Sequence, residues 1–209
     1  MDPLRDAIDK AMMMRCIELS SIAVGEGEYP FGTVVALDGK IVAEAINSTV
    51  REGDVSRHAE VIALSMARKA VGRHELSRAT LYSNVEPCAM CSYCIREAWV
   101  GRVVYSLGSP IMGGASKWTI LQDKDLSDRI PIFGPVPEIV SGTLHREAQQ
   151  VWRAWSPLAW EMMRLRGVFS LPHAQAEEVK VIPAQPRSPL QQLIFMVMRL
   201  GQLRTRRAG

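Results

Sequence analysis

Cysteine is scarce in this chain, and the sequence also lacks the marks of several other protein classes. Four cysteines among 209 residues leave no disulfide framework once two of them are used for metal binding. The first residues lack the charged and apolar regions of a signal peptide, so we expect a cytoplasmic protein. No uninterrupted apolar run reaches the roughly 18 residues of a membrane-spanning helix. No G-x-G-x-x-G or P-loop pattern is present, so no nucleotide or redox cofactor is predicted.

Length and composition predict one principal domain. With 209 residues, 47% of them hydrophobic, the chain can bury one sizeable core, and a domain of about 150 residues with an appendage fits the usual size range. The net charge is +3, and the basic excess is concentrated in the tail, at Arg199, Arg204, Arg206 and Arg207. Composition therefore does not require a broad phosphate-binding surface, although a local basic patch is compatible with it.

Two short motifs carry the chemistry of the chain. They are His58-Ala59-Glu60 and, beginning 29 residues after His58, Pro87-Cys88-Ala89-Met90-Cys91. Zn²⁺ binds imidazole nitrogen and thiolate sulfur in tetrahedral geometry, and three protein ligands leave the fourth position to water. His58, Cys88 and Cys91 therefore predict one catalytic zinc per chain, which lowers the pKa of a water molecule to about 7. Glu60 is too close to His58 in sequence to be a comfortable fourth ligand, but it is well placed to receive the proton of that water.

Other interpretations of the cysteines explain less. A C-x-x-C pair also occurs in redox sites and in structural zinc sites. Redox chemistry does not require the upstream His-x-Glu, however, and a structural four-cysteine site needs a second pair. Cys16 and Cys94 are not paired in that way. Cys94 lies three residues after Cys91 and is an alternative ligand, but we interpret both Cys94 and Cys16 as buried apolar residues.

Hydrophobic periodicity and turn residues predict alternating helices and strands. The predicted helices cover residues 2–23, 58–71, 87–98 and 143–163, and the predicted strands cover residues 33–37, 40–45, 80–84, 101–106 and 137–141. Asp38-Gly39 predicts a two-residue hairpin turn between the first two strands. Both zinc motifs fall at helix starts, where the partial positive charge stabilises a thiolate. This order predicts the α/β class, as a three-layer α/β/α sandwich with a central mixed sheet of five strands.

The motifs together resemble a known superfamily. Pro30-Phe31-Gly32, Asn47, the His-x-Glu motif and Glu86-Pro-Cys-Ala-Met-Cys91 are similar to those of the cytidine deaminase-like superfamily, closest to its branch of guanine, cytosine and tRNA-adenosine deaminases. The resemblance covers roughly residues 5–165. It implies a homodimer and the hydrolytic conversion of C–NH₂ to C=O with release of ammonia. It also implies that the His and the two Cys of the motifs bind zinc and that Glu60 is the catalytic proton shuttle.

The resemblance implies contacts to the substrate as well. Asn47 is expected to bind the base, since its side chain offers a donor and an acceptor, although Asn before Ser is also ordinary turn material. Backbone groups of Ala59 are expected to touch the ring. Phe31 either packs near the base or fills the core. Arg57 departs from the small residue common in the branch, and it either binds a substrate carboxylate, phosphate or ring oxygen or forms a surface salt bridge.

Three functions follow, in order of preference. Pro30-Phe31-Gly32 is more similar to free-base deaminases than to the tRNA enzymes, which usually carry Pro-Val-Gly, so we expect a small-molecule substrate from purine or pyrimidine metabolism: a free nucleobase, nucleoside or related amino-heterocycle. The alternative is a tRNA adenosine deaminase, with RNA as a less favoured partner. The second alternative is a non-catalytic binding subunit whose fold is stabilised by zinc. The presence of Glu60 argues against this alternative.

The chain divides into two predicted parts. Residues 1–169 are the zinc-dependent deaminase domain, in which residues 108–119 occupy the place of a substrate-proximal loop. Residues 170–188 carry several prolines and predict an extended linker. Residues 190–203 predict a short amphipathic helix before the arginine-rich end. We expect this helix to pack on its own domain or across a dimer, and binding to nucleic acid or an anionic membrane is the alternative.

Overall fold

A mixed six-stranded sheet forms the centre of the molecule. The structure, a computed structural model, describes residues 2–130, 132–170, 180–185, 189 and 192–193. The strands are β1 (Gly32–Leu37), β2 (Lys40–Ile46), β3 (Thr80–Val85), β4 (Arg102–Leu107), β5 (Glu138–Ser141) and β6 (Lys180–Ile182), in the spatial order β2-β1-β3-β4-β5-β6. β1 is antiparallel to β2 and β3, β4 is parallel to β3 and β5, and β6 is antiparallel to β5. The predicted mixed sheet is confirmed, with a sixth strand because residues 180–182 of the predicted linker pair with β5.

Helices cover both faces of this sheet, which confirms the predicted three-layer α/β/α sandwich. The helices of the described residues are α1 (Pro3–Gly25), α2 (Thr49–Glu52), α3 (Ala59–Leu76), α4 (Ala89–Ala98), α5 (Lys124–Arg129), α6 (His145–Trp155) and α7 (Pro157–Leu165). The helix predicted over residues 143–163 is two helices. Ser156 has an extended backbone and Pro157 opens α7, because proline lacks the N–H group that would continue α6.

Each face of the sheet has its own apolar core. α1, α6 and α7 pack on one face, around Met13, Val34, Tyr82, Val104, Trp152 and Trp160. α3 and α4 pack on the other face, around Val35, Leu64, Leu81, Ile95 and Val103. Neighbouring strand residues such as Val34 and Val35 enter opposite cores, since side chains alternate along a strand. Trp152 and Trp160 are buried, and Trp155 packs against the same core.

The turn between β1 and β2 has the predicted conformation. Asp38 and Gly39 both have positive φ, 50° and 74°, as a type I′ turn requires. Leu37 then pairs with Lys40, and the ladder continues to Gly32 opposite Ile46. The turn therefore sets the pairing of Leu37 and Ala36, and an irregularity between Val35 and Ala36 shifts the register by one residue for the rest of the hairpin.

Strand direction brings both zinc motifs to one edge of the sheet. β2 and β3 are each antiparallel to β1, so they run the same way and end at the same edge. The chain leaves β2 at Ile46 towards α3, and it leaves β3 at Val85 towards α4. The N-termini of α3 and α4 consequently lie at that edge, beside the start of β1.

The end of the predicted domain is attached to the sheet. Phe169 is buried in the core under α6 and α7, and the Ser170 amide donates to the Gly108 carbonyl at 2.9 Å. The predicted amphipathic helix of residues 190–203 lies largely outside the described residues. Within the described ranges, none of the helices has the length and apolar character needed to cross a membrane.

Candidate active site and metal centre

His58, Ala59 and Glu60 form the beginning of α3. His58 is the N-cap residue, with an extended backbone, and its carbonyl accepts from the Ile62 amide at 3.1 Å. Ala59 is fully buried and Glu60 is only 5% exposed. The start of this helix therefore places the partly buried His58 ring and the buried Glu60 carboxyl group at the edge where β2 and β3 end.

Cys88 and Cys91 form the matching beginning of α4. Cys88 is the N-cap residue, and its carbonyl accepts from the Ser92 amide at 2.8 Å. Cys91 is buried in the first turn. The partial positive charge of a helix N-terminus lowers the pKa of thiols placed there, so the fold provides a suitable setting for two metal-binding sulfurs.

The three predicted ligands converge. His58 Nδ1 lies 3.7 Å from Cys88 Sγ and 3.4 Å from Cys91 Sγ, and the two sulfurs are 3.6 Å apart. In a regular tetrahedron with Zn–S near 2.3 Å and Zn–N near 2.0–2.1 Å, two sulfurs are about 3.8 Å apart, and a sulfur and a nitrogen about 3.6 Å. The observed triangle fits one zinc ion. Among the described residues, His58, Cys88 and Cys91 are the group that could hold a metal ion.

Protonation differs between the groups of this cluster. A hydrogen bond from the Cys91 thiol, followed by one with His58, lowers the pKa of Cys88 to about 4, so Cys88 is a thiolate at neutral pH. The same bond to Cys88, together with burial, raises the pKa of Cys91. Metal binding at this site therefore releases the Cys91 proton, since the ligand of a metal is the thiolate.

Glu60 is buried, and its carboxyl group interacts with the ligand residues His58, Cys88 and Cys91. Desolvation by burial raises the pKa of its carboxyl group, although a hydrogen bond from its own backbone amide opposes the shift. A carboxyl group whose pKa is raised above its ordinary value is better suited to take up a proton and release it again. The structure thus brings Glu60 to the ligand cluster with properties that suit proton transfer.

A further carboxylate, Glu86, holds the loop of residues 108–119 against the cluster. Glu86 accepts from the amides of Ser109 at 2.7 Å, Ala115 at 3.0 Å and Ser116 at 2.7 Å, and from the Ser116 hydroxyl at 2.8 Å. Gly113 forms an isolated bridge with Cys88. No role for Glu86 was predicted from the sequence, although it stands in the quoted motif. The loop predicted to lie near the substrate does lie beside a metal-binding residue.

Asn47 lies at the same edge of the sheet, just after β2. It is 2% exposed, and its backbone amide donates to the Phe31 carbonyl at 3.1 Å. Its side-chain nitrogen donates to Glu28 Oε2 and to Thr49 Oγ1, each at 2.8 Å. Glu28 was missed in the sequence because it lies in Gly25-Glu-Gly-Glu-Tyr-Pro30, a polar stretch typical of an exposed turn.

Phe31 and Arg57 have partners within the protein. The Phe31 ring packs edge to face on Trp152, with 5.2 Å between centroids, in the core under α1 and α6. Arg57 Nε lies 2.7 Å from Glu52 Oε2, and the Ser48 hydroxyl donates to the same carboxylate. These contacts are those of the packing and salt-bridge alternatives, and a substrate contact of either residue stays a prediction.

The other two cysteines lie apart from the ligand triangle. Cys16 is buried on α1 and donates to the Tyr82 carbonyl at 3.3 Å. Cys94 is partly buried and packs against the core under α3 and α4. Both therefore have the packing role predicted for them.

Comparison with known proteins agrees with this geometry. Residues 6–107 match the family model of the cytidine and deoxycytidylate deaminase zinc-binding region. A tRNA-specific adenosine deaminase of Agrobacterium fabrum is 34% identical over 126 residues, which are 60% of this chain and 79% of the relative. A probable cytosine deaminase of Schizosaccharomyces pombe is 35% identical over 101 residues, 48% of this chain and 61% of that protein.

A solved structure gives the same result at the level of the fold. It comes from structural studies of A-to-I editing by tRNA:A34 deaminases, and it aligns with a TM-score of 0.60 and 29% identity, over 68% of this chain and 98% of the other. The motifs, the ligand triangle and the fold are therefore those of one group of hydrolases acting on C–N bonds. The chain belongs to the family of zinc-dependent deaminases that shares the cytidine and deoxycytidylate deaminase zinc-binding region.

Proposed function

We propose that this protein deaminates adenosine in tRNA to inosine. The observation that carries the proposal is the extent of similarity: the chain spans 79% of the Agrobacterium tRNA-specific adenosine deaminase and 98% of the solved tRNA:A34 deaminase. This differs from the small-molecule substrate that we expected from Pro30-Phe31-Gly32. Phe31 packs on Trp152, which supports a structural rather than a substrate-selecting reason for the aromatic residue in that motif.

The proposed roles in the reaction follow the geometry of the site. His58, Cys88 and Cys91 hold the zinc, which activates a water molecule as a Lewis acid when bound. Glu60 takes a proton from the attacking water and gives it to the ring nitrogen next to the carbon that carries the amine. The remaining hydroxyl proton then passes through Glu60 to the amine, ammonia leaves with the electron pair of the C–N bond, and that carbon keeps the oxygen as C=O. Burial of Glu60 supports this role, because it lets one carboxyl group act as base and then as acid.

The proposed substrate contacts lie around this group. Ala59 is the first residue of α3, and the first N–H groups of a helix have no partner inside the helix. Its buried amide is therefore suited to a polar atom of the base. Asn47, buried at the same edge, is proposed to contact the base with its side chain. Phe31 and Arg57 receive no substrate role, since Trp152 and Glu52 occupy them.

The rim of the site has features that suit a nucleic acid. Trp118, in the loop beside Cys88, is 55% exposed, and Lys117 Nζ lies 5.9 Å from its ring centroid. Exposed aromatic rings stack on bases, and lysines contact phosphates, in proteins that bind single-stranded nucleic acid. This pair supports RNA as the substrate. Phosphate contacts from the arginine-rich tail, a homodimer and a cytoplasmic location stay predictions.

The experiment compares RNA with free bases. The full chain with zinc is incubated with a tRNA transcript whose anticodon begins with adenosine, with the same transcript carrying guanosine there, and with free guanine, cytosine and adenine. We expect inosine from the first transcript alone, in digests separated by chromatography. Turnover should also fall steeply as salt is added, because salt competes with Lys and Arg for phosphates. Release of ammonia from a free base, without inosine in tRNA, would contradict the proposal.

A free nucleobase is the second candidate. The similarity to the probable cytosine deaminase of Schizosaccharomyces pombe, 35% over 101 residues, favours it. The same assay separates the two, since turnover of a neutral base should respond little to salt.

A further inference from the structure

Glu28 is a buried carboxylate for which the proposed reaction has no use. It is 2% exposed and precedes β1 at the edge of the sheet where the zinc motifs lie. Its Oε1 accepts from the Arg51 amide at 2.7 Å, and its Oε2 accepts from the Val50 amide at 3.1 Å. The third partner is the side chain of Asn47, which donates to Oε2 at 2.8 Å. Glu28 therefore joins the start of α2 to a proposed substrate-binding residue.

This contact decides which way the Asn47 amide faces. An ionised carboxylate accepts hydrogen bonds and donates none, so the NH₂ group of Asn47 must face Glu28. The second hydrogen of that group goes to Thr49 Oγ1, also at 2.8 Å. Both donors of the amide are thus used, and Oδ1 is the atom that stays available as an acceptor.

Glu28 is ionised at neutral pH. Burial alone would raise the pKa of its carboxyl group, but the amides of Arg51 and Val50 and the side chain of Asn47 donate to it and lower the pKa below its ordinary value. A neutral glutamic acid could turn its own O–H towards Asn47 and allow the amide to flip. The ionised carboxylate has no O–H group to donate, so the Asn47 amide keeps one orientation.

We propose that Glu28 is a positioning residue that fixes the Asn47 amide so that Oδ1 points to the substrate as a hydrogen-bond acceptor. The atom of the substrate that meets Asn47 is then an N–H or O–H donor. This inference deepens the proposed function, because it rests on Asn47 contacting the substrate.

The test uses an exchange of the two side chains. The variants are Glu28→Gln, Asn47→Asp and the double variant E28Q/N47D, in the full chain with zinc. In the double variant the new amide at position 28 donates to the new carboxylate at position 47, and that carboxylate still offers an acceptor to the substrate. The Val50 amide loses its acceptor at Oε2 in the single and in the double variant alike. The matched control is Glu26→Gln, which removes the same charge two residues away, from an exposed carboxylate that pairs with Arg51.

The expected result is a change in KM at constant zinc content. Misplacing one hydrogen bond to the substrate should raise KM about tenfold in Glu28→Gln, with a much smaller change in kcat. Asn47→Asp places two carboxylates together and should do at least as much harm. The double variant should have a KM clearly below that of Asn47→Asp, and Glu26→Gln should match the original protein.

Two results would overturn the inference. The first is a Glu28→Gln variant with the kinetics of Glu26→Gln. The second is a double variant no better than Asn47→Asp, which would mean that Asn47 serves the substrate as a donor. If Glu28→Gln does not fold, the comparison of Asn47→Asp with the double variant still decides.

A measurement without substrate separates this inference from the proposed function. Hydrogen exchange of the Asn47 side-chain amide, identified by its absence from the nitrogen-15 spectrum of Asn47→Asp, should be slow in the original protein and in Glu26→Gln. It should be fast in Glu28→Gln. Equal exchange in all three would refute the positioning role, whichever substrate the protein turns over, whereas the choice between tRNA and free bases tests only the proposed function.

Discussion

Arg102 on β4 donates two hydrogen bonds of 2.6 Å to the two carboxylate oxygens of Asp9 on α1. Both side chains are about 9% exposed. Arg102 Nε also donates to Glu138 at 3.0 Å, and the Tyr82 hydroxyl donates to Asp9 at 2.8 Å. β4 runs parallel to β3, so its first residue lies at the edge of the sheet opposite the zinc motifs. A substitution in this ion pair therefore tests the stability of the fold without altering the zinc site.

Asp9→Asn should destabilise the fold substantially. Removing one partner of a buried ion pair leaves the other charge poorly compensated, which costs 3–5 kcal/mol in other proteins, and since Glu138 remains we expect about 3 kcal/mol. Urea unfolding followed by circular dichroism measures the change. The control is Asp6→Asn on the same helix, which removes an exposed pair with Lys10 and should cost at most about 0.5 kcal/mol. Equal losses in the two variants would contradict the structural role of the buried pair.

Cys91→Ala should abolish stoichiometric zinc binding, because the ligand triangle loses one of its two sulfurs. Elemental analysis of the purified protein should give about one zinc per chain in the original and well under half of that in the variant. Cys94→Ala, one helical turn further along α4, should keep its zinc, since Cys94 packs in the core. Loss of zinc in Cys94→Ala instead would show that the wrong thiolate has been assigned.

Glu60→Gln should retain zinc and fold but lose activity. The amide has nearly the shape of the carboxyl group but cannot carry the proton, so kcat should fall by about 10² to 10⁴ or more. Single-turnover assays on the substrate proposed above measure the fall. Glu75→Gln, an exposed position on the same helix that pairs with Arg78, serves as the control. An unaltered rate in Glu60→Gln would remove the proposed proton shuttle.

The stability that Glu28 contributes should depend on pH. Its folded-state pKa lies below the ordinary glutamate value, for the reasons of hydrogen bonding given above. A group with a depressed folded pKa contributes stability above its unfolded pKa, about 4.3 for Glu, and loses the contribution as pH falls through the folded pKa. The original protein should therefore exceed Glu28→Gln in free energy of unfolding at pH 7. That difference should shrink as the pH is lowered from 5 towards 3 in urea titrations, and a constant difference would contradict the depressed pKa.

Much of the fold was predictable because its signals are local. Asp38-Gly39 determines a turn from two residues, and the predicted strands lie within about a residue of those observed, since their apolar runs are bounded by polar or turn residues. The ligand triangle was predictable for the same reason: a C-x-x-C pair brings two sulfurs together at any helix start, and the His-x-Glu motif supplies the rest. The break at Ser156 was missed because the apolar pattern continues across Pro157.

The two organising carboxylates were not predictable in this way. Glu28 reaches backbone amides 22 and 23 residues later, and Glu86 reaches amides 23 to 30 residues later. Backbone donors leave no mark in an amino-acid sequence, because every residue except proline carries one. The same limitation applies to β6, whose three residues form a strand only because β5 offers them an open edge.

The hydrogen bonds from residues 108–119 to Glu86 affect which side chains of this loop can change. Glu86 binds this loop through three main-chain N–H groups and one serine hydroxyl. These hydrogen bonds therefore do not depend on the identity of most side chains in the loop. Positions such as 111, 112 and 118, whose side chains face outward, can be exchanged freely while the loop keeps its path. The substrate specificity of the enzyme can thus be altered while the loop backbone stays unchanged, by mutational libraries confined to those exposed positions.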